Sequence, residues 1–172
     1  MKRMVGGGVL PAKASYGGLL RGFLGGVLSI VFLGLLQPMV GAPLLMAPFG
    51  ASCVLLFAAS SSPLAQPRNV IGGHLLSAGV GLLMLHGFGS SLLSMAIAVG
   101  LAIVLMQWFR MVHPPAGGNP LVVLLAPTVP PLGWDFLLFP VLFGAVGLVL
   151  IAALVNNVGP RHAWPVYWRG GR

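Results

Sequence analysis

The chain has 172 residues, of which 58% are hydrophobic and 6% are charged, and its mean hydropathy is +1.01. Because a soluble domain carries roughly 25% charged residues, this composition excludes a water-soluble fold and indicates a surface that faces lipid. Nine Lys and Arg residues against one acid give a net charge of +8. They are scattered singly, so we interpret them as membrane-orientation signals and expect no nucleic-acid partner. The single cysteine, Cys53, excludes an internal disulfide and a cysteine-based metal site, and we expect no cofactor.

Six apolar segments follow one another along the chain, at about 17–37, 44–60, 69–87, 91–109, 116–131 and 135–157. The first, third, fourth and sixth have about 19 residues or more, which is enough to cross a bilayer. Basic residues precede the first segment as in a signal peptide, but its length of about 20 residues is typical of a transmembrane helix. We therefore predict an all-α integral membrane protein, with one transmembrane domain over residues 1–172 and short basic tails.

The second and fifth segments contain helix-breaking residues near their N-terminal ends. These are Pro43, Pro48 and Gly50 in the second segment, and Pro114, Pro115, Gly117, Gly118 and Pro120 in the fifth. Proline lacks the backbone N–H and clashes with the preceding turn, so it is well tolerated only where a helix starts. Each of these segments is predicted to be an irregular stretch followed by a short half-helix.

The basic residues predict the orientation of the chain in the membrane. If all six segments cross, one face holds both termini, the 60–69 loop and the 110–115 loop, and these regions carry eight of the nine Lys and Arg residues. This pattern follows the positive-inside rule and predicts a bacterial inner-membrane protein with cytoplasmic termini. The alternative is four crossings, with segments two and five re-entrant, which would place Arg68 and Arg110 outside. We favour six.

The two halves of the chain resemble each other when one is shifted by 67 residues. Pro48 then aligns with Pro115, Gly50 with Gly117, and Pro63 with Pro130, so the helix-breaking residues coincide. Three crossings in each half reverse the orientation of the second half. The sequence therefore predicts two inverted three-helix repeats, at about 17–87 and 91–157, which is a common architecture of transporters.

We expect a solute site at the two broken segments, because irregular backbone at membrane depth must line a cavity or pack on protein. If both half-helices point their N-termini at the midplane, their free N–H groups and dipoles favour an anion. The predicted binding residues at the breaks are Gly50, Ala51, Ser52, His113, Pro114, Pro115, Gly117, Gly118 and Asn119. The single acidic residue, Asp135, sits at the interfacial end of the sixth segment and none lies deeper, which favours an anion or a neutral solute over a cation.

Three further residues are candidates for the same pathway. His74 lies inside the third segment, and an intramembrane histidine is a candidate functional residue. Arg68 and Arg110 are expected to attract an anion to the cytoplasmic mouth. Structural roles remain open for each: His113 as a helix cap, His74 as a hydrogen-bond partner of a neighbouring helix, and the two arginines as orientation signals.

Two stretches carry a family resemblance, namely residues 47–52 continuing to 62–74, and the His-Pro-Pro run at 113–120. Together they resemble the HPP family of integral membrane proteins. Members of that family in chloroplasts and cyanobacteria are associated with nitrite transport, so the resemblance implies nitrite as the solute. The family is usually described with four transmembrane segments. Its pattern after the tripeptide commonly runs through small residues and Thr, whereas Asn119 and Pro120 stand there in this chain.

Three functional hypotheses follow from these patterns. A transporter or channel for a small inorganic anion, nitrite foremost, accounts for the broken segments, and His74 or His113 would be the candidates for proton coupling. A structural or assembly subunit is the alternative, since Gly-rich helices suit packing against lipid-embedded partners, including other copies of the chain. A membrane enzyme is disfavoured, because paired acids, a metal site and an evident Ser–His pair are absent from the sequence pattern.

Overall fold

The computed structural model describes residue 10 and residues 12–40, 43–126, 131–159 and 163–168. Within them all regular structure is helical, so the predicted all-α class is confirmed. The α-helices are α1 (Tyr16–Val40), α2 (Ala47–Ala58), α3 (Pro67–Phe88), α4 (Leu92–Trp108), α5 (Asn119–Leu124) and α6 (Phe143–Asn156). Pro130, which entered the predicted repeat, and five of the basic residues (Lys2, Arg3, Arg161, Arg169 and Arg172) lie outside the described residues.

Three of the described helices are long and apolar enough to cross a membrane: Tyr16–Met39, Pro67–Phe88 and Trp134–Asn156. The last of these starts as a 3-10 turn (Trp134–Leu137), continues as a π-helical turn (Leu138–Leu142) and ends as α6. The fourth predicted span is shorter than expected. Helix α4 has 17 residues, about 25 Å at 1.5 Å per residue, against a hydrocarbon core of roughly 30 Å.

The two predicted helix breaks are present, and proline defines both. Pro48 is the second residue of α2, and Met46, the residue that precedes this helix, has an extended backbone. In the second break, His113 is extended, as a residue before proline prefers, and Pro114–Gly118 form a 3-10 turn. Helix α5 then has six residues. The irregular stretch of the fifth segment is therefore itself helical, and its α-helix ends earlier than the predicted residue 131.

Contacts between loops show that the segments alternate in direction. At one end, which we call the basic face, the 60–69 loop, the 109–112 loop and residues 163–168 lie together: Arg68 donates to the Phe109 carbonyl at 2.9 Å, and the Val166 N–H donates to Gln66 Oε1 at 2.8 Å. At the opposite face, Ser90 donates to the Leu124 carbonyl at 2.6 Å. Helix α3 therefore runs away from the basic face, α4 returns to it, and the fifth segment runs away from it again.

Residues 163–168 are anchored on the basic face by more than one hydrogen bond. The Tyr167 hydroxyl has one hydrogen and two acceptors within reach, the Pro63 carbonyl oxygen at 2.9 Å and Asn69 Oδ1 at 3.2 Å. Trp164 is buried. This segment thus lies against the 60–69 loop and the start of α3.

Helix α3 is the central helix. In the most apolar 18-residue stretch of each helix, 50% of the residues of α3 are buried and only 17% of those of α1. Helix α1 therefore presents most of its surface to lipid. Helix α3 packs on α4, α5 and α6, while α1 packs on α2 and α6. Gly81 allows the backbones of α3 and α5 to approach closely, because a Cβ at this position would lie 3.0 Å from Pro120 Cα.

Candidate functional site

Five buried polar side chains form one hydrogen-bonded group in the interior, which we call the polar cluster: Ser52, His74, Ser77, His113 and Asn119. The first four of these in chain order are fully buried, and Asn119 is 1% exposed. Four of the five are predicted site residues. They come from α2, from α3, from the extended residue before the 3-10 turn, and from the first residue of α5.

The depth of the cluster follows from the position of His74. It is the eighth residue of α3, so it lies about 11 Å along the helix from its start at the basic face. Ser52 reaches it because Pro48 starts α2 one turn earlier, and the Ser52 hydroxyl lies 3.0 Å from the Pro48 carbonyl oxygen. Ser52 from the first break and Asn119 from the second therefore both lie against His74 on the side of α3.

Ser52 lies between the two histidine rings. Its Oγ is 2.8 Å from Nε2 of His74 and 2.8 Å from Nε2 of His113. The ring centroids are 5.1 Å apart, and Phe49 packs its ring against His74 edge-on at 4.9 Å. The serine hydroxyl is thus the only described group that hydrogen-bonds to both imidazoles.

The hydrogen-bond partners of the other ring nitrogens fix the tautomers of the neutral rings. His113 Nδ1 is 2.8 Å from the Leu64 carbonyl oxygen, which only accepts, so Nδ1 carries the hydrogen. In the neutral ring Nε2 is then an acceptor, and the Ser52 hydroxyl donates to it. His113 is thereby connected to the 60–66 loop of the basic face.

Asn119 fixes the other ring. Its Nδ2 lies 2.9 Å from His74 Nδ1, 3.1 Å from the His74 carbonyl oxygen and 3.0 Å from Ser77 Oγ. Because the carbonyl only accepts, the amide nitrogen must face this side, and His74 Nδ1 accepts a hydrogen bond. His74 therefore carries its hydrogen on Nε2 and donates to Ser52. Among the described residues, Asn119 Oδ1 has no hydrogen-bond partner.

The remaining predicted residues of the breaks lie outside the polar cluster. Ala51, Pro115 and Gly118 line an apolar groove of about 430 Å³ between α2 and the fifth segment. Gly50 lines a second apolar groove, of about 390 Å³, between α1 and α2. Pro114 is exposed and Gly117 is half-buried.

The predicted arrangement of the helix N-termini is only partly correct. Ser52 contacts His113, while a Cβ on Gly118 would lie 3.2 Å from Pro48 Cγ. The starts of α2 and of the fifth segment therefore pass each other side by side in opposite directions, and they do not point at a common empty centre. Prolines 48, 114 and 115 carry no N–H, so these starts offer fewer donors than the sequence pattern suggested.

Arg68 and Arg110 lie at the exposed basic face and not in the polar cluster. Arg110 has a φ of 55°, which is uncommon outside glycine. This conformation follows from the way α4 ends. The Arg110 N–H donates to the Gln107 carbonyl, and the Met111 N–H donates to the Met106 carbonyl. This is the Schellman pattern, in which the residue at the Arg110 position adopts the left-handed conformation.

Sequence reasoning missed Ser77 and Leu64. Ser77 lies three residues after His74, on the same helix face, which is a signal that could have identified it. The Leu64 carbonyl is a backbone group, and nothing in the sequence distinguishes it. Within the described part of the chain, no group of three His, Cys, Asp or Glu side chains is placed to hold a metal.

Comparison with known proteins identifies similar sequences. Residues 11–165 match the family described as HPP, transmembrane region. The chain is 33% identical over 175 residues to a transmembrane protein of Dictyostelium discoideum, covering 97% of this chain and 56% of the relative. It is 38% identical over 128 residues to a second transmembrane protein of that organism, covering 72% and 45%. The chain thus spans about half the length of these relatives. No solved structure matches it.

Proposed function

The chain belongs to the HPP transmembrane family, and from this premise we propose that it transports a small inorganic anion, nitrite foremost, across the membrane. The observation that carries the proposal is the polar cluster. Uncompensated polar groups are costly in a membrane interior, and those that occur there often mark solute pathways. In this chain they are concentrated where two proline breaks meet the central helix.

The resemblance described above suggests nitrite, and the residue chemistry is compatible with it. Ser52 and Asn119 offer uncharged hydrogen-bonding groups at the break points, and no carboxylate adjoins the polar cluster in the described chain. A cation pathway would be expected to present carboxylates. For the path itself, we propose that it runs along the starts of α2 and the fifth segment, with Arg68 and Arg110 at its cytoplasmic mouth.

We further propose six crossings arranged as two inverted repeats. Two helix pairings support this arrangement: α1 packs on α2 and α6, while its counterpart α4 packs on α5 and α3. A two-fold axis in the membrane plane would relate these pairs. We also propose a bacterial inner-membrane location with both termini cytoplasmic. The placement of Arg68 and Arg110 on one face supports this orientation.

We propose that the protein is not an enzyme, although Ser52 lies within hydrogen-bond reach of two histidines. A nucleophilic serine needs access to its substrate and a base oriented by a third group. Ser52 is fully buried, and the outer nitrogens of both rings are held by an amide and a carbonyl, not by a carboxylate. The polar cluster thus resembles a hydrogen-bonded constriction more than a catalytic site.

A second candidate is a structural or assembly subunit without transport of its own, including a homo-oligomer. The observation in its favour is the close packing of the polar cluster, whose members are at most 1% exposed. The grooves that flank α2 are apolar, so an ordered lipid or another apolar helix would fit them. In this reading the polar cluster only joins helices together.

Nitrite entry into proteoliposomes separates the two candidates. Purified protein would be compared with empty liposomes, so that leakage of free nitrous acid is subtracted, and with the Asn119→Leu variant. Ser29→Ala is a matched control, because Ser29 is a fully buried serine of α1 outside the polar cluster. Protein-dependent uptake that is lost in Asn119→Leu and kept in Ser29→Ala supports transport. Folded protein without uptake favours the subunit.

A further inference from the structure

We propose that each anion is bound together with one proton, which His113 accepts at Nε2 while the Ser52 hydroxyl turns from His113 to the Pro48 carbonyl. This inference rests on the proposed transport function and assigns the positive charge that the site otherwise lacks.

The first observation is the absence of a fixed positive charge at the polar cluster. Neither Lys nor Arg hydrogen-bonds to any of its members in the part of the chain that the structure describes, and the nearest arginines in sequence, Arg68 and Arg110, are exposed at the basic face. The prolines at both helix starts also remove N–H donors. A bare anion would therefore be desolvated without a charged partner, which is strongly unfavourable in a membrane interior.

The second observation is that Ser52 has two alternative acceptors for its single hydrogen. His113 Nε2 is at 2.8 Å and the Pro48 carbonyl oxygen is at 3.0 Å. When His113 is neutral, the hydroxyl donates to Nε2. When Nε2 gains a hydrogen, the hydroxyl donates to Pro48, and its two lone pairs accept from both imidazoles. Every ring hydrogen then still has an acceptor, so the polar cluster accommodates the proton through one hydroxyl rotation.

His74 does not have this freedom. Its Nδ1 already accepts from the Asn119 amide. A hydrogen on Nδ1 would face the NH₂ group, and turning the amide would bring Asn119 Oδ1 against the His74 carbonyl oxygen, which lies 3.1 Å from Nδ2. The geometry therefore distinguishes the two rings: His113 accepts the proton and His74 stays neutral.

Among the residues that the structure describes, His74 is the only other titratable group next to His113 that could compete for the proton. Helix α2 contributes Ser52 and, one residue on, Cys53, which faces α1 near Ser29. Helix α3 contributes His74, and the 3-10 turn and α5 have no titratable side chain. Arg110, in the loop before His113, is exposed at the basic face. The other described titratable groups named here do not pack against the His113 ring, whereas the His74 ring lies 5.1 Å from it, centroid to centroid.

The proton balance is simple. A hydronium ion from the aqueous phase gives its proton to the lone pair of His113 Nε2 and becomes water, the hydrogen bond from Ser52 to Nε2 breaks, and one from Ser52 to the Pro48 carbonyl forms. The resulting imidazolium is uncompensated until an anion binds, so proton and anion stabilise each other by the same factor. On release the proton returns to water. The complex that crosses is neutral, so uptake should not respond to a membrane potential.

The test measures nitrite uptake and internal pH together in proteoliposomes, with valinomycin and potassium setting the membrane potential and empty liposomes giving the leak. We expect one proton per nitrite and no effect of the potential. Ser52→Ala should lower uptake roughly tenfold or more, since it removes a hydrogen bond to a charged group, while Ser29→Ala should match the unmodified protein. Uptake driven by the potential, without proton delivery, would overturn the inference and leave transport standing. Absence of uptake by folded protein would overturn both.

A second measurement reads the protonation state of each histidine directly, without a transport assay. In protein labelled with ¹⁵N-histidine and embedded in lipid, adding nitrite at constant pH should convert His113 to the doubly protonated form and leave His74 neutral. His113→Gln, with unchanged thermal unfolding, assigns the signals. Protonation of His74 in place of His113, or neither ring responding to saturating nitrite in transport-competent protein, would contradict the proposal.

Discussion

Asn119 Nδ2 lies 2.9 Å from His74 Nδ1, although 45 positions separate the two residues in the chain. This contact joins the first turn of α5 to the middle of α3. It also determines that His74 carries its hydrogen on Nε2. His74 therefore donates a hydrogen bond to the Ser52 hydroxyl and does not accept one from it. The Asn119 amide thus both holds the start of α5 against α3 and fixes the direction of the hydrogen bond between His74 and Ser52.

Replacing this amide is expected to stop transport while leaving the protein folded. Asn119→Leu removes hydrogen bonds to His74 and Ser77 and leaves buried groups unpaired, which costs about 1–3 kcal/mol for each such group. The loss should appear as a lower unfolding temperature in detergent and as absent nitrite uptake. Normal uptake by this variant would show that the pathway lies elsewhere.

Two glycines of α3 should respond in opposite ways to the same change. At Gly81 a Cβ would lie 3.0 Å from Pro120 Cα and 3.1 Å from Val123 Cβ, whereas at Gly79 the closest neighbour is Leu137 Cδ1 at 4.0 Å. Gly81→Ala is therefore expected to destabilise by about 1–3 kcal/mol through overpacking. Gly79→Ala should be neutral or stabilise by up to about 1 kcal/mol through helix propensity. Thermal unfolding of both variants measures the difference, and equal shifts would argue against the α3–α5 contact.

Arg110→Gly should raise stability. Its φ of 55° disfavours a side chain by roughly 1–2 kcal/mol, and glycine removes that cost at the end of α4. Arg110→Ala keeps the unfavourable conformation while losing the same charge, so only the glycine variant should unfold at higher temperature. Uptake assays at low and high salt on both variants then report whether this arginine attracts anions. An identical loss of uptake in both, reduced by salt, is the expected pattern for a charge at the mouth.

Thiol labelling decides between six and four crossings. In a Cys53→Ser background, single cysteines would replace the exposed residues Ala14, Ser61 and Gly87. Six crossings place the first two positions on one side and Gly87 on the other. Four crossings, with re-entrant second and fifth segments, place Ala14 and Gly87 together and Ser61 opposite. Membrane-impermeant maleimide applied to sealed cells, with and without permeabilisation, distinguishes the two patterns.

The sequence singled out four members of the polar cluster one at a time, and the structure adds how they meet. Ser52, His113 and Asn119 could be located because each adjoins a proline or glycine break, and His74 because a histidine in an apolar helix is unusual. That Ser52 bridges both rings depends on the packing of α2 against α3, which no local pattern encodes. The side-by-side passage of the two helix starts likewise depends on tertiary packing, since propensity alone does not determine where α2 and α5 end.

Residues 163–168 have a practical consequence for anyone who handles this protein. Val166 is held by Gln66, and Tyr167 by Pro63 and Asn69, next to the Leu64 carbonyl that holds His113. A reporter domain or purification handle joined immediately after residue 168 would displace residues 163–168 and with them the 60–66 loop. The hydrogen bond between the Leu64 carbonyl and His113 would then be disturbed. Handles are better attached through a long flexible spacer, and a fusion that silences uptake should first be suspected of displacing this segment.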